Sequence, residues 1–211
     1  MGASSPPTAD RSQPRRATFQ RARSRETRRT LVRSAVALWR VKGYEETTVE
    51  DICRAAGVSK GLFYFYFQRK EDVLFEIGVL SSEAIVREAR AELDRGYELM
   101  ELVRNVLVSL ERSMRRNPRP LVLAAILEGY RHVPDRSASD AVPATFSAVL
   151  QHAQHDGQLP PDADTARLAQ VVQTLISEGV RDWALGLTDG PAFVDEVTWR
   201  IGLVVAGASR D

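Results

Sequence analysis

Residues 57–67, GVSKGLFYFYF, combine one cation, two glycines and five consecutive aromatic side chains. An ammonium group and a phenolic hydroxyl can bind phosphates and the edges of bases, and flat apolar rings can contact the bases. On a helix, Phe63 and Phe67 lie four residues apart and share one face, whereas Lys60 and Tyr64 point elsewhere. We therefore predict that Phe63 and Phe67 are buried and that the opposite side is an outward, binding face.

The charge of the chain is divided unevenly, although the net charge is only +1. Residues 1–70 hold 15 Lys and Arg against 6 Asp and Glu, whereas residues 71–211 hold 14 against 22. A basic first third followed by an acidic remainder indicates that the first part binds a polyanion. A basic tail that only keeps the chain in solution is the alternative.

The motifs of several enzyme classes are missing from this sequence. It contains no nucleophile elbow, P-loop or dinucleotide fingerprint, so we expect no enzyme and no cofactor. His152, His155 and Asp156 have the spacing of half a metal site, but their polar neighbours favour a solvated face and no metal. The longest apolar run, residues 121–127, is too short to cross a membrane. Cys53 is the sole cysteine, which is typical of a cytoplasmic protein.

The elements around the aromatic run are helical. From Arg25 the apolar residues follow a helical period that ends before a glycine. Thr48 and Asp51 have the spacing of a capping box, which predicts the start of a second, short helix that ends at Gly57. Ser59 is placed to cap a third helix over the aromatic run. Three helices with a tight glycine turn between the last two predict a helix-turn-helix.

The remaining pattern predicts an all-α chain of about nine helices. We divide it into a disordered basic arm at 1–23, a helix-turn-helix domain at 24–70 and a larger helical bundle at 71–211. The helices near 164–187 and 191–206 carry more apolar surface than one small bundle can cover, which predicts a homodimer through them. A central core helix at 164–187 is the alternative.

Residues 25–77 resemble the amino-terminal domain of TetR-family transcriptional regulators in both residue types and spacing. The rest of the chain is similar to the family only in its general helical layout. The matching segments are Gly43-Tyr44, Thr47-Thr48-Val49, Ile52-Cys53, Ala56-Gly57-Val58-Ser59-Lys60-Gly61, Tyr64, Tyr66-Phe67 and Lys70-Glu71.

The resemblance implies a set of residues that contact double-stranded operator DNA. Leu62 and Phe65 depart from the family pattern, because neither side chain donates or accepts a hydrogen bond. They are suited instead to contact thymine methyl groups, and packing of Phe65 against the first helix is the alternative. The implied DNA-binding residues are Thr47, Thr48, Ser59, Lys60, Gly61, Leu62, Tyr64, Phe65, Tyr66 and Lys70.

The resemblance also implies a function. The protein would be a homodimeric repressor, and a small, largely apolar inducer would release it from its operator. An activator on the same scaffold is one alternative, and a helical ligand carrier with a vestigial DNA-binding domain is another. The inducer would bind a pocket in the helical bundle. For Glu128 and His132 the alternative to a place in this pocket is a pair at the surface, and for the other candidates it is a place in the apolar core. The candidate pocket residues are Met114, Glu128, His132, Phe146 and Trp183.

The arginine-rich stretch from Arg11 to Arg25 predicts additional phosphate or minor-groove contacts. We expect a chain without residues 1–23 to bind all DNA sequences more weakly, with a smaller dependence of log K on log salt. Binding titrations at several salt concentrations measure this slope. An unchanged slope would contradict contact between the arm and DNA.

Overall fold

The computed structural model describes residues 13–131 and 141–208, and within these two ranges the secondary structure is entirely helical. Nine helices lie in the described ranges, in agreement with the predicted all-α fold. Their bounds are α1 Gln13–Lys42, α2 Val49–Ala56, α3 Lys60–Tyr66, α4 Asp72–Arg95, α5 Leu99–Met114, α6 Arg119–Arg131, α7 Ala141–His155, α8 Thr165–Ala184 and α9 Gly190–Gly207.

The chain divides into two compact units between Gln68 and Arg69. The first unit contains α1 to α3 and the second contains α4 to α9. None of the described helices is long and apolar enough to span a bilayer.

Helix α1 begins at Gln13, well before the predicted start at Arg25. Residues 13–23 are therefore helical rather than part of a disordered arm, and residues 1–12 lie outside the described part of the chain. Pro14 stands in the first turn, where its missing N–H costs no hydrogen bond. Arg, Gln and Ala are good helix formers, and lengthening an existing helix needs no new nucleus. The composition of the segment was therefore a poor guide to its structure.

The predicted ends of α2 and α3 are confirmed by their hydrogen bonds. The Asp51 amide donates to the Thr48 hydroxyl at 3.2 Å, and the Thr48 amide donates to the Asp51 carboxylate at 3.1 Å. Gly57 ends α2 with φ +67°, a left-handed conformation that favours glycine. The Leu62 amide donates to the Ser59 hydroxyl at 3.2 Å and so caps α3.

The core of the first unit receives side chains from all three helices, with α1 packed on α2 and α2 packed on α3. The rings of Phe63 and Phe67 lie 5.6 Å apart, and the Arg28 guanidinium lies 5.5 Å from the Phe67 ring centroid. Burial of both rings is therefore confirmed. The buried apolar residues of this unit are Leu31, Val32, Ala35, Trp39, Ile52, Cys53, Phe63 and Phe67.

The second unit is a bundle in which α8 packs against α6, α7 and α9. The crossing of α8 and α9 is close at Gly179, where a Cβ atom would lie 2.3 Å from Cγ2 of Val197 and 3.1 Å from the Phe193 ring. Glycine at this position lets the two backbones approach each other. Helix α8 is therefore a core helix of its own unit, and the same helix also exposes Val171.

Candidate functional site

The outward face of α3 consists mainly of apolar and aromatic side chains. Leu62 is 36% exposed, Tyr64 53% and Phe65 75%. Phe63, which lies between Leu62 and Tyr64 in the sequence, is fully buried. Exposing rings of this size in water is unfavourable unless a partner covers them. This face of the first unit is therefore open to a partner, and its role in binding stays a prediction.

Phe65 is not packed into the first unit, contrary to the alternative that placed it against the first helix. Its ring lies edge-on to the Tyr66 ring, with the two centroids 5.0 Å apart, and three quarters of the side chain stays in solvent. The Phe65 ring therefore lies outward and contacts only the edge of the first unit at Tyr66 within the described residues.

Lys60, the one charged residue of α3, forms an ion pair with Glu50 in the first turn of α2. Both side chains are about half exposed, at 53% and 51%. The neighbouring acid, Asp51, is engaged differently. A hydrogen bond from Lys42 and the bonds of the capping box stabilise its ionised form and lower the pKa of Asp51.

The residues at the starts of α2 and α3 that were predicted to contact DNA differ in their exposure to solvent. Thr48 and Ser59 are exposed and cap α2 and α3. Thr47 is only 1% exposed, and its hydroxyl donates to the Gly43 carbonyl at 2.6 Å. Its side chain is therefore turned away from solvent, and contact of Thr47 with DNA stays a prediction. A Cβ at Gly61 would meet only Oγ of Ser59 at 3.9 Å, so nothing within the first unit requires glycine at that position.

Tyr66 and Lys70 were both predicted to contact the DNA backbone. The Tyr66 hydroxyl donates to Oγ of Ser24 on α1 at 3.0 Å, which ties α3 to the first helix. Lys70 lies on the other side of the division between the two units and is half-buried. Contact of either residue with DNA stays a prediction.

The positive charge of the first unit is carried by α1 rather than by the outward face of α3. Between residues 23 and 42, α1 has six arginines and one lysine against one acid, Glu26. In α2 and α3, two acids face two cations, so these helices are neutral. Long-range attraction of a polyanion therefore comes from α1.

Two contacts of this site are missing from the sequence-based account, the Lys60–Glu50 ion pair and the Tyr66–Ser24 hydrogen bond. The first joins residues on two helices across a turn, and the second joins residues 42 positions apart. Neither pair has a helical spacing within one element, so no periodic signal in the sequence could have identified it.

The predicted pocket residues are placed mostly in the core of the second unit. Met114, Phe146 and Trp183 belong to one cluster of buried apolar side chains. Glu128 is 2% exposed and lies 3.0 Å from Arg69 and 3.5 Å from Arg131, so its own side chain is buried, while both arginine partners are largely exposed. His132 lies outside the described residues.

Comparisons with known proteins agree with this layout. Residues 31–77 match the family described as "Bacterial regulatory proteins, tetR family". The probable acrEF/envCD operon repressor of Escherichia coli (strain K12) is 25% identical in an alignment of 194 residues that covers 84% of this chain and 87% of that protein. The HTH-type transcriptional regulator AcrR of Shigella flexneri is 27% identical in an alignment of 175 residues that covers 76% of this chain and 79% of that protein.

A solved structure extends the similarity through both units. It is FadR of Thermus thermophilus, a TetR-family transcriptional repressor crystallised with lauroyl-CoA. Its TM-score to this chain is 0.69 at 26% sequence identity, covering 82% of this chain and 92% of that protein.

Proposed function

Because the chain is a transcriptional regulator of the TetR type, we propose that it is a repressor whose α3 reads operator DNA in the major groove. The observation that carries this proposal is the exposed face of α3, with Tyr64 and Phe65 in solvent and Phe63 buried behind them. A helix of this kind fits the major groove, and two copies fit half-sites about 34–36 Å apart along a pseudo-palindromic duplex.

The side chains of this face define what α3 reads. Lys60 donates hydrogen bonds, and its best partners on a base edge are O6 and N7 of guanine. Leu62 and Phe65 contact the methyl groups of thymine, for which they need no hydrogen-bond partner. The expected half-site therefore contains a guanine next to one or more thymines.

Replacing Lys60 and Tyr64 together by alanine removes the polar groups of this face. We expect loss of operator binding, by about 1–3 kcal/mol for each lost base contact, because no other group of α3 replaces them. Electrophoretic mobility shift with the operator measures the loss, and circular dichroism checks the fold. Dimerisation and ligand binding should stay intact, since both belong to the second unit.

Val41→Ala is the matched control for this variant. Val41 is 91% exposed on α1 and lies outside the predicted reading face. Operator affinity close to that of the wild type is expected for Val41→Ala. If the double variant also bound like the wild type, a helical ligand carrier with a vestigial first domain would be the better account.

The homodimer is proposed to form through the outward sides of α8 and α9. Trp199 is 60% exposed and Leu203 55%, four residues apart on α9, and Val171 on α8 is 37% exposed. Large apolar side chains aligned in this way along a helix are typical of a self-complementary interface. Partly buried Leu168 and Leu175 extend the apolar surface along α8.

Trp199→Asp places a charge in the proposed interface and should convert the dimer into a monomer. Sedimentation velocity at several protein concentrations measures the change. Leu127→Asp is the control, because Leu127 is similarly exposed, at 50%, but lies on α6. A Trp199→Asp protein that still sediments as a dimer would place the interface elsewhere.

The inducer is proposed to be a small molecule with an apolar acyl chain, of the acyl-CoA class, that binds the second unit; the coenzyme A part of such a ligand is polar and charged. Support comes from the similarity to FadR of Thermus thermophilus, which binds lauroyl-CoA, and from the apolar character of the cluster around Met114, Phe146 and Trp183. Release from DNA requires that the ligand binds the released conformation more tightly than the bound one.

Lauroyl-CoA is the probe for this ligand class. We expect it to dissociate the operator complex in a mobility shift assay, while free coenzyme A, which lacks the acyl chain, leaves the complex in place. If lauroyl-CoA did not bind the free protein and did not change the operator complex, this ligand class would be excluded. The proposal that α3 reads DNA would be unaffected.

A further inference from the structure

The ion pair between Lys60 and Glu50 stands inside the proposed reading face. Lys60 is the one charged residue of α3, and Glu50 belongs to the first turn of α2, which precedes it. Both side chains are about half exposed. An acid in a surface that approaches phosphates opposes binding, so its presence there calls for a role.

Glu50 has no visible role in holding the first unit together, in contrast to the adjacent acid. Asp51 accepts from the backbone amide of Thr48 and binds Lys42 on α1, so it stabilises the start of α2. The carboxylate of Glu50 reaches Lys60 instead. An exposed pair of this kind changes a folding equilibrium by no more than about fivefold, so stability does not explain it.

The geometry of an ammonium group explains what the pair can do for recognition. Lysine has a flexible four-carbon chain and three N–H donors. When one donor is held by Glu50, the other two remain for acceptors in the groove. A lysine that is held in this way loses less conformational entropy on binding a base.

The same pair restricts which contacts Lys60 makes. A phosphate that lies beyond the reach of the paired ammonium is contacted only if Lys60 leaves Glu50, and the gain from that phosphate, about threefold near 0.15 M salt, is then offset by the broken pair. A base contact made from the paired position keeps both interactions and is worth about 5- to 150-fold. The balance therefore favours the base over the phosphate.

We propose that Glu50 is a positioning residue for sequence recognition, which holds Lys60 toward the base edges and withholds it from the phosphate backbone. The inference rests on the proposed function, since it presumes that α3 reads DNA. Glu50, which lies outside α3, would then be a determinant of specificity. Its role would be to increase the difference in affinity between operator and non-specific DNA.

The test compares Glu50→Gln with the wild type on two labelled duplexes, an operator recovered from a random pool and a scrambled duplex of equal length. For the scrambled duplex we expect about threefold tighter binding at 0.15 M salt and a salt slope steeper by about 0.9, because Lys60 gains a phosphate. For the operator we expect equal or weaker binding. The ratio of the two affinities should fall by about three- to tenfold.

Glu26→Gln is the matched control, because it removes the same charge and frees Arg33 from an exposed ion pair on α1. If Glu26→Gln changed the affinity ratio as much as Glu50→Gln does, the change in net charge alone would explain the effect, and the inference would be overturned. In a Lys60→Met background, Glu50→Gln should have no more effect than Glu26→Gln. A full effect there would show that Glu50 does not act through Lys60.

The failure of this inference and that of the proposed function can be told apart. If the wild type recovers no preferred duplex from the pool, sequence-specific DNA binding itself is wrong. If a preferred duplex is recovered and Glu50→Gln leaves the salt slope and the affinity ratio unchanged, only the role of Glu50 is wrong. A loss of folding in the variant would not steepen the salt slope.

Discussion

The outward face of α3 depends on the burial of Phe63 and Phe67 on the opposite side. Helix α3 has only seven residues, and a helix of that length is not stable in water by itself. Burial of two aromatic rings on one side, worth roughly 1.5–3 kcal/mol each, anchors it. The Ser59 cap and the Tyr66–Ser24 hydrogen bond then fix its start and its end. Tyr64 and Phe65 can be held in solvent because the opposite side of α3 is anchored in this way.

In the proposed function, the first unit separates the long-range attraction of DNA from the recognition of its sequence. Helix α1 carries the excess of arginine and attracts a polyanion over a distance, while α2 and α3 are neutral at the place where bases would be read. Attraction of this kind does not depend on sequence. A neutral, largely apolar reading face therefore gives hydrogen bonds and methyl contacts a larger share in deciding where the protein binds.

Local features of this fold could be predicted from the sequence, and long-range ones could not. The Thr48–Asp51 capping box, the stop at Gly57 and the burial of Phe63 and Phe67 follow from spacings of a few residues, and the structure has all of them. The burial of Thr47, whose hydroxyl donates to the Gly43 carbonyl, was not predicted. The Arg69–Glu128 pair joins residues 59 positions apart, so only the folded chain brings them together.

The early start of α1 shows a different limit of sequence reasoning. The composition of residues 13–23 is typical of a disordered segment, but these residues continue a helix whose apolar stripe begins later in the chain. Their state is decided by the helix next to them rather than by their own burial. The same holds for Glu50, whose meaning depends on Lys60 at the start of the following helix.

The most direct measurement of the central claim is the selection of bound duplexes from a random pool by the wild type and by Phe65→Ala in parallel. If the face of α3 reads the groove, the wild type selects two inverted half-sites about one helical turn or a multiple of it apart. Phe65→Ala should then lose a preference, most directly for thymine, at the same position of both half-sites. Identical preferences of the two proteins, or no shared motif for the wild type, would contradict the account.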